Sequence, residues 1–114
     1  MAELSKETEQ KIEQLQMLEQ NLRTFTVQRQ QFQAQLMEID SALSEIEGTK
    51  EVFKIIGGVM VAAQKDEVKK DLAKKKEVLE LRIKTIEKQE EKIKEKASST
   101  QKEVLKEMSK DDER

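Results

Sequence analysis

The chain predicts a mainly α protein: a long antiparallel two-helix coiled coil with a single β-hairpin at the bend. Three observations carry this. Two stretches of nearly equal length keep an alternating three- and four-residue apolar spacing, they flank one short hydrophobic segment with paired glycines, and there is no proline anywhere. Composition agrees. Charged residues make up 40% and hydrophobic ones 35%, and three Phe are the only aromatics, so a globular core of ordinary size is not available. High charge alone would suit disorder, but disordered segments do not sustain a heptad spacing for forty residues.

The first helix is expected over residues 4–47. Its seam runs Leu4, Thr8, Lys11, Leu15, Leu18, Leu22, Phe25, Arg29, Phe32, Leu36, Ile39, Leu43 and Ile46. That is about six heptads, more than a coiled coil needs to declare itself. Ser5 is placed to cap the start, with Thr8 three residues on. Gly48 supplies the expected stop, and Gly48, Thr49 and Lys50 form a short connector.

Residues 51–64 read EVFKIIGGVMVAAQ. Two β-prone runs, Val52–Ile56 and Val59–Ala63, flank Gly57-Gly58, and paired glycines supply the positive φ of a type I′ or II′ hairpin turn. The expected partners are Ile56 with Val59, Ile55 with Met60, Lys54 with Val61 and Phe53 with Ala62. One face then carries Phe53, Ile55, Met60 and Ala62. The other carries Val52, Ile56, Val59, Val61 and Ala63, broken only by Lys54. Both faces read as buried, yet one helical hairpin cannot cover both, and a lone two-stranded sheet is marginal in water with two unpaired edges. The expectation is an obligate oligomer whose hairpins close a sheet or barrel through Val52, Phe53, Ile55, Ile56, Gly57, Gly58, Val59, Met60 and Val61.

The second helix is expected over residues 66–109, starting at a cap on Asp66. Its seam is Leu72, Lys76, Leu79, Ile83, Ile86, Glu90, Ile93, Ala97, Thr100, Val104 and Glu107. Folded back on the first helix, it sets Leu4 opposite Met108 or Ser109, Lys11 opposite Glu103 or Glu107, and Arg29 near Glu87. Polar seam positions of this kind cost stability but disfavour slipped pairings. Ile12, Met17, Leu105 and Met108 lie outside the strict seam near the free ends, where Met1 and Leu4 also sit. A two-helix coil splays at its ends and opens its seam there, and pliable methionines suit surfaces that accept many partners.

Several function classes fall away. The chain has no Cys and no His, which removes disulfides, thiolate chemistry, the usual zinc sites and imidazole acid–base catalysis. A two-helix seam offers no pocket for an enzyme, and Gly57-Gly58 matches neither a phosphate loop nor a dinucleotide fingerprint, so no cofactor is expected. Net charge is −2. Residues 1–50 hold five basic and nine acidic groups, and residues 51–114 hold seventeen and fifteen, a tilt that helps two antiparallel arms attract. The basic run Lys69–Glu77 lacks aromatics and reads as a solvated face, not a nucleic-acid surface. The start has no apolar signal core, and the run Val52–Ala63 falls far short of the ~20 residues of a membrane span, so a soluble cytoplasmic protein is expected.

Helix, single hairpin, helix in a chain of this length resembles the β-type subunit of prefoldin, in its archaeal form. The resemblance spans nearly the whole chain, and its most specific parts are VFKIIGGVMVAAQKDEV (residues 52–68) and LELRIKTIEKQEEKI (residues 79–93). It implies a heterohexamer of two α-type and four β-type subunits, with hairpins forming paired β-barrels and six coiled coils projecting from them. It also implies ATP-independent capture of unfolded client proteins at the coiled-coil tips and delivery to a group II chaperonin. The family's client surface maps onto Leu4, Ile12, Leu15, Met17, Leu18, Val104, Leu105 and Met108. The rival expectation is a tethering coiled coil that binds one folded partner and protects no client.

Overall fold

The computed structural model describes residues 4–112. Four elements follow in order: α1 (Lys6–Ile46), β1 (Val52–Ile56), β2 (Val59–Ala63) and α2 (Lys65–Asp112). The described residues divide between two compact units, one of residues 4–28 with 86–112 and one of residues 29–85.

In the first unit, the start of α1 runs antiparallel to the end of α2. Lys11 meets Glu103 and Glu107, while Thr26 meets Glu90. Ile86 and Val104 are buried between the helices, together with Thr8, Glu90 and Thr100. In the second unit the same sense continues: Phe32 meets Arg82, Asp40 meets Lys76 and Glu47 meets Lys69. Its buried apolar residues are Ile46, Leu79 and Ile83. Every seam position read from the spacing is buried or half-buried, and the heptad pattern is the reason: each such side chain points at the opposite helix.

Ser5 caps α1 as expected, accepting the Thr8 N–H on its Oγ at 3.1 Å. Helix α1 stops at Ile46, within the expected bounds, while both ends of α2 fall outside them. Gly48 does not adopt the left-handed conformation, which among the glycines only Gly57 and Gly58 do. Instead α1 closes with tight turns, Gly48 N–H to the Glu45 carbonyl at 3.2 Å and Thr49 N–H to that of Ile46 at 3.3 Å. The Thr49 hydroxyl adds a bond to the Glu45 carbonyl at 2.9 Å, and the Lys65 ammonium bonds the Glu47 carbonyl at 2.9 Å, so exposed carbonyls are satisfied without a glycine cap. Helix α2 starts at Lys65 because the Val68 N–H already bonds the Gln64 carbonyl at 3.1 Å, which makes Gln64 the cap and puts Asp66 in the first turn. It then runs beyond residue 109 to Asp112, with no Gly or Pro to stop it.

The hairpin has the expected register, Val52 opposite Ala63 through Ile56 opposite Val59. Gly57 and Gly58 take φ of 56° and 81°, both positive, which selects the type I′ turn over II′.

These glycines give opposite expectations on substitution. Gly48→Ala meets open space at an ordinary φ and stabilises by about 0.4–1 kcal/mol through the unfolded chain. Gly57→Ala forces a Cβ into the left-handed region and destabilises by about 1–2 kcal/mol. Chemical unfolding midpoints check both signs.

Candidate functional surfaces

The hairpin is the first surface. On one face Phe53, Ile55 and Met60 are exposed, Ile55 at 74% and Met60 at 66%. On the other, Val52 and Ala63 are half-buried, while Ile56, Val59 and Val61 are exposed. The chain's own atoms therefore cover only the strand ends. Lys54, the lone charge among these side chains, is taken up by the start of α2: its Nζ bonds Asp71 Oδ2 at 3.1 Å and lies 3.8 Å from Glu67 Oε1. The Asp71 hydrogen bond raises the Lys54 pKa against the opposing effect of desolvation, helped by the charges of Glu67 and Asp71. Glu67 and Asp71 are four apart on α2 and so share one helix face. That spacing was the available signal for this contact, which reading the hairpin alone misses.

The connector beneath the hairpin is tied in the same way. Lys69 pairs with the Glu47 carboxylate, and this hydrogen bond, with the charges of Lys69 and Lys65, holds Glu47 below the usual carboxylate range. Thus the ends of α1 and α2 that carry the hairpin are joined by charge-assisted bonds, while the hairpin itself offers mainly hydrocarbon.

The second surface lies in the first unit, where Thr8 and Lys11 meet Glu107. Among the residues read as tip candidates, Met17 is 64% exposed and Leu105 60%, and Met108 is also exposed. Leu4, Ile12, Leu15 and Leu18 are half-buried. Val104 is buried between the helices, so its side chain is not offered to a partner while the seam is closed. Met1 lies outside the described residues.

The seam here is pinned rather than splayed, contrary to expectation. Thr8 is fully buried, and its hydroxyl donates to Glu107 Oε2 at 2.5 Å while accepting from Ser5 Oγ at 2.8 Å. Lys11 Nζ bonds Glu107 Oε1 at 2.5 Å and lies 3.5 Å from Glu103 Oε2 and 4.0 Å from Glu7 Oε1. The expected Lys11 pairing is present with both acids. Lys11 and Thr8 hydrogen bonds hold Glu107 below the usual carboxylate range, and the Glu107 bond raises Lys11. Further along the unit, Thr26 donates to buried Glu90 at 2.9 Å. Thr26 was missed because it falls one residue outside the strict seam, after Phe25. No buried side-chain polar atom is left unsatisfied among the described residues.

Antiparallel helices joined by a hairpin with two apolar faces in water make a coiled-coil subunit, not a self-contained globular domain. Known proteins similar to it agree. The prefoldin subunit family matches residues 9–111. The chain is 38% identical over 104 residues to prefoldin subunit beta of Archaeoglobus fulgidus, covering 89% of this chain and 90% of that one. It is 30% identical over 111 residues to prefoldin subunit beta of Pyrobaculum arsenaticum, covering 95% and 90%. The crystal structure of the prefoldin beta subunit from Thermococcus strain KS-1 superimposes with a TM-score of 0.87 at 30% identity, over 93% of this chain and 96% of that one. The chain belongs to the prefoldin beta-subunit family, whose members are chaperone subunits and not enzymes. Among the described residues no helix is long and apolar enough to cross a membrane.

The polar clamp has a pH signature. Glu107 is more acidic folded than unfolded, so its contribution is complete above the unfolded value of about 4.3 and is lost as pH falls through the depressed folded value. Lys11 is raised, so its contribution is complete below about 10.4 and is lost as pH rises through the higher folded value. Glu107→Gln is expected to lower the melting temperature at neutral pH and to flatten its fall on the acid side, with Glu47 supplying what slope remains. An acid-side slope equal to wild type would remove the clamp from the stability of this unit.

Proposed function

We propose that this chain is an ATP-independent holdase subunit that captures unfolded proteins at the coiled-coil tips and passes them to a group II chaperonin in the cytoplasm. The observation that carries the reading is the pairing of family membership with exposed Met17, Leu105 and Met108 beside the clamped end of the helices. A single tip of this size binds weakly. Several tips on one platform bind a flexible chain by avidity, and release needs no hydrolysis when another surface competes.

The platform is the hairpin. Each half-exposed aliphatic side chain still gains roughly 1 kcal/mol on burial, whereas association costs at least about 4 kcal/mol. One hairpin face against one partner is therefore marginal, and a closed sheet that also pairs both strand edges is favoured. An assembly of two α-type and four β-type subunits meets that need, with Val52, Phe53, Ile55, Ile56, Gly57, Gly58, Val59, Met60 and Val61 as its joint.

The test is light scattering of a denatured protein diluted without nucleotide into the assembled complex. Wild-type complex is expected to suppress aggregation. The triple variant Leu4→Ser, Met17→Ser, Leu105→Ser is expected to lose that protection while its assembled mass is unchanged. An intact wild-type complex that protects nothing would leave a tethering scaffold, and a triple variant that still protects would move the client surface elsewhere.

A further inference from the structure

One groove in the second unit is unlike the rest of the helical surface. It has a volume of about 330 Å³, and its floor is apolar: Ile39 from α1 with Val78 and Leu79 from α2. Its rim carries Lys74, Lys75 and Arg82, and no carboxylate lines it. The lysines that join one element to another in this unit are paired. Lys54 is paired with Asp71, Lys69 with Glu47 and Lys76 with Asp40 at 2.8 Å. Lys74 and Lys75 have no ion-pair partner among the described residues, and Arg82 is spread over the Phe32 ring, 5.7 Å from its centroid. Three cations and no anion thus surround one strip of hydrocarbon.

We propose that this groove docks an acidic amphipathic helix of a partner protein, at a site separate from the tips and independent of the holdase reading. Charge complementarity names the occupant. Three cations and no anion call for carboxylates, and half-exposed Val78 between them calls for an apolar anchor. From Lys74 to Arg82 the strip spans ~12 Å of α2, about two helical turns, which matches Leu at i and i+4 flanked by Glu. The Arg82 guanidinium also lies within cation–π range of the Phe32 ring, which restrains it beside the groove. Rim pairs exposed to water add little affinity each, so binding is expected on the order of 10 μM and weakens with salt.

The probe is a fluorescent synthetic helix of Glu and Leu at that spacing, titrated by anisotropy into the full chain alone and into its complex with an α-type prefoldin subunit. Binding to both is expected. Lys74→Glu with Lys75→Glu should weaken it at least about tenfold, and Val78→Asp similarly. Lys92→Glu with Lys96→Glu, two exposed unpaired lysines in the other unit, should change it less than about twofold. All these side chains are exposed, and melting curves are the check that each variant folds. Equal loss in the control pair would reduce the effect to general charge and overturn the proposal. So would equal binding of a Lys/Leu helix, tighter binding of single-stranded oligonucleotide, or binding to the free chain but not to the complex.

Discussion

A two-stranded sheet with large apolar side chains on both faces has no way to leave water by itself, and the rest of this chain is arranged around that constraint. Phe53, Ile55 and Met60 stand out on one side, Ile56, Val59 and Val61 on the other, and both strand edges keep unpaired backbone groups. The helices do not relieve this, because their seam side chains pack on each other. What they do provide is anchorage. Lys54 is held by Asp71 and Glu67, and Glu47 by Lys69 and Lys65, so the hairpin's one charge is neutralised and its base is tied to both helices. The adhesive element is therefore held in place before any partner arrives, which lowers the ordering cost of association.

The two-helix seam shows a second division of labour. A uniformly apolar seam would be more stable and less particular about register. Here Thr8 and Lys11 meet Glu107, Thr26 meets Glu90 and Lys76 meets Asp40, each a bond that a shift of one turn would break. Leaving buried Thr8 or Glu90 unpaired costs more than the bond contributes when made, so the penalty falls on wrong alignments. At the end of the first unit the same polar cluster keeps Val104 shielded, and the apolar surface left to a partner is the outward set of Met17, Leu105 and Met108.

Much of this was legible in the residues. Heptad spacing marked every seam position, the paired glycines set the hairpin register, and antiparallel arithmetic found Lys11 with Glu103 and Glu107. Helix ends were less legible because they depend on which donor reaches an open carbonyl. Gly48 was read as the stop of α1, and Thr49 and Lys65 are what satisfy its last carbonyls. The clamp at Thr8 was hidden for a similar reason. A threonine in a seam reads as a weak point, and only the joint placement of Ser5, Lys11 and Glu107 turns it into a fully buried bonded group. The cations of the groove were masked inside a basic run in which Lys69 and Lys76 are paired.

The most direct test of the hairpin as the joint is the mass of the complex formed with an α-type prefoldin subunit, measured by analytical ultracentrifugation for wild type and for Ile55→Asp. Ile55 is exposed in the single chain, so the variant is expected to keep its helical circular dichroism and to sediment as a free subunit. A variant that assembled to the same mass as wild type would show that the helices, not the hairpin, hold the complex together.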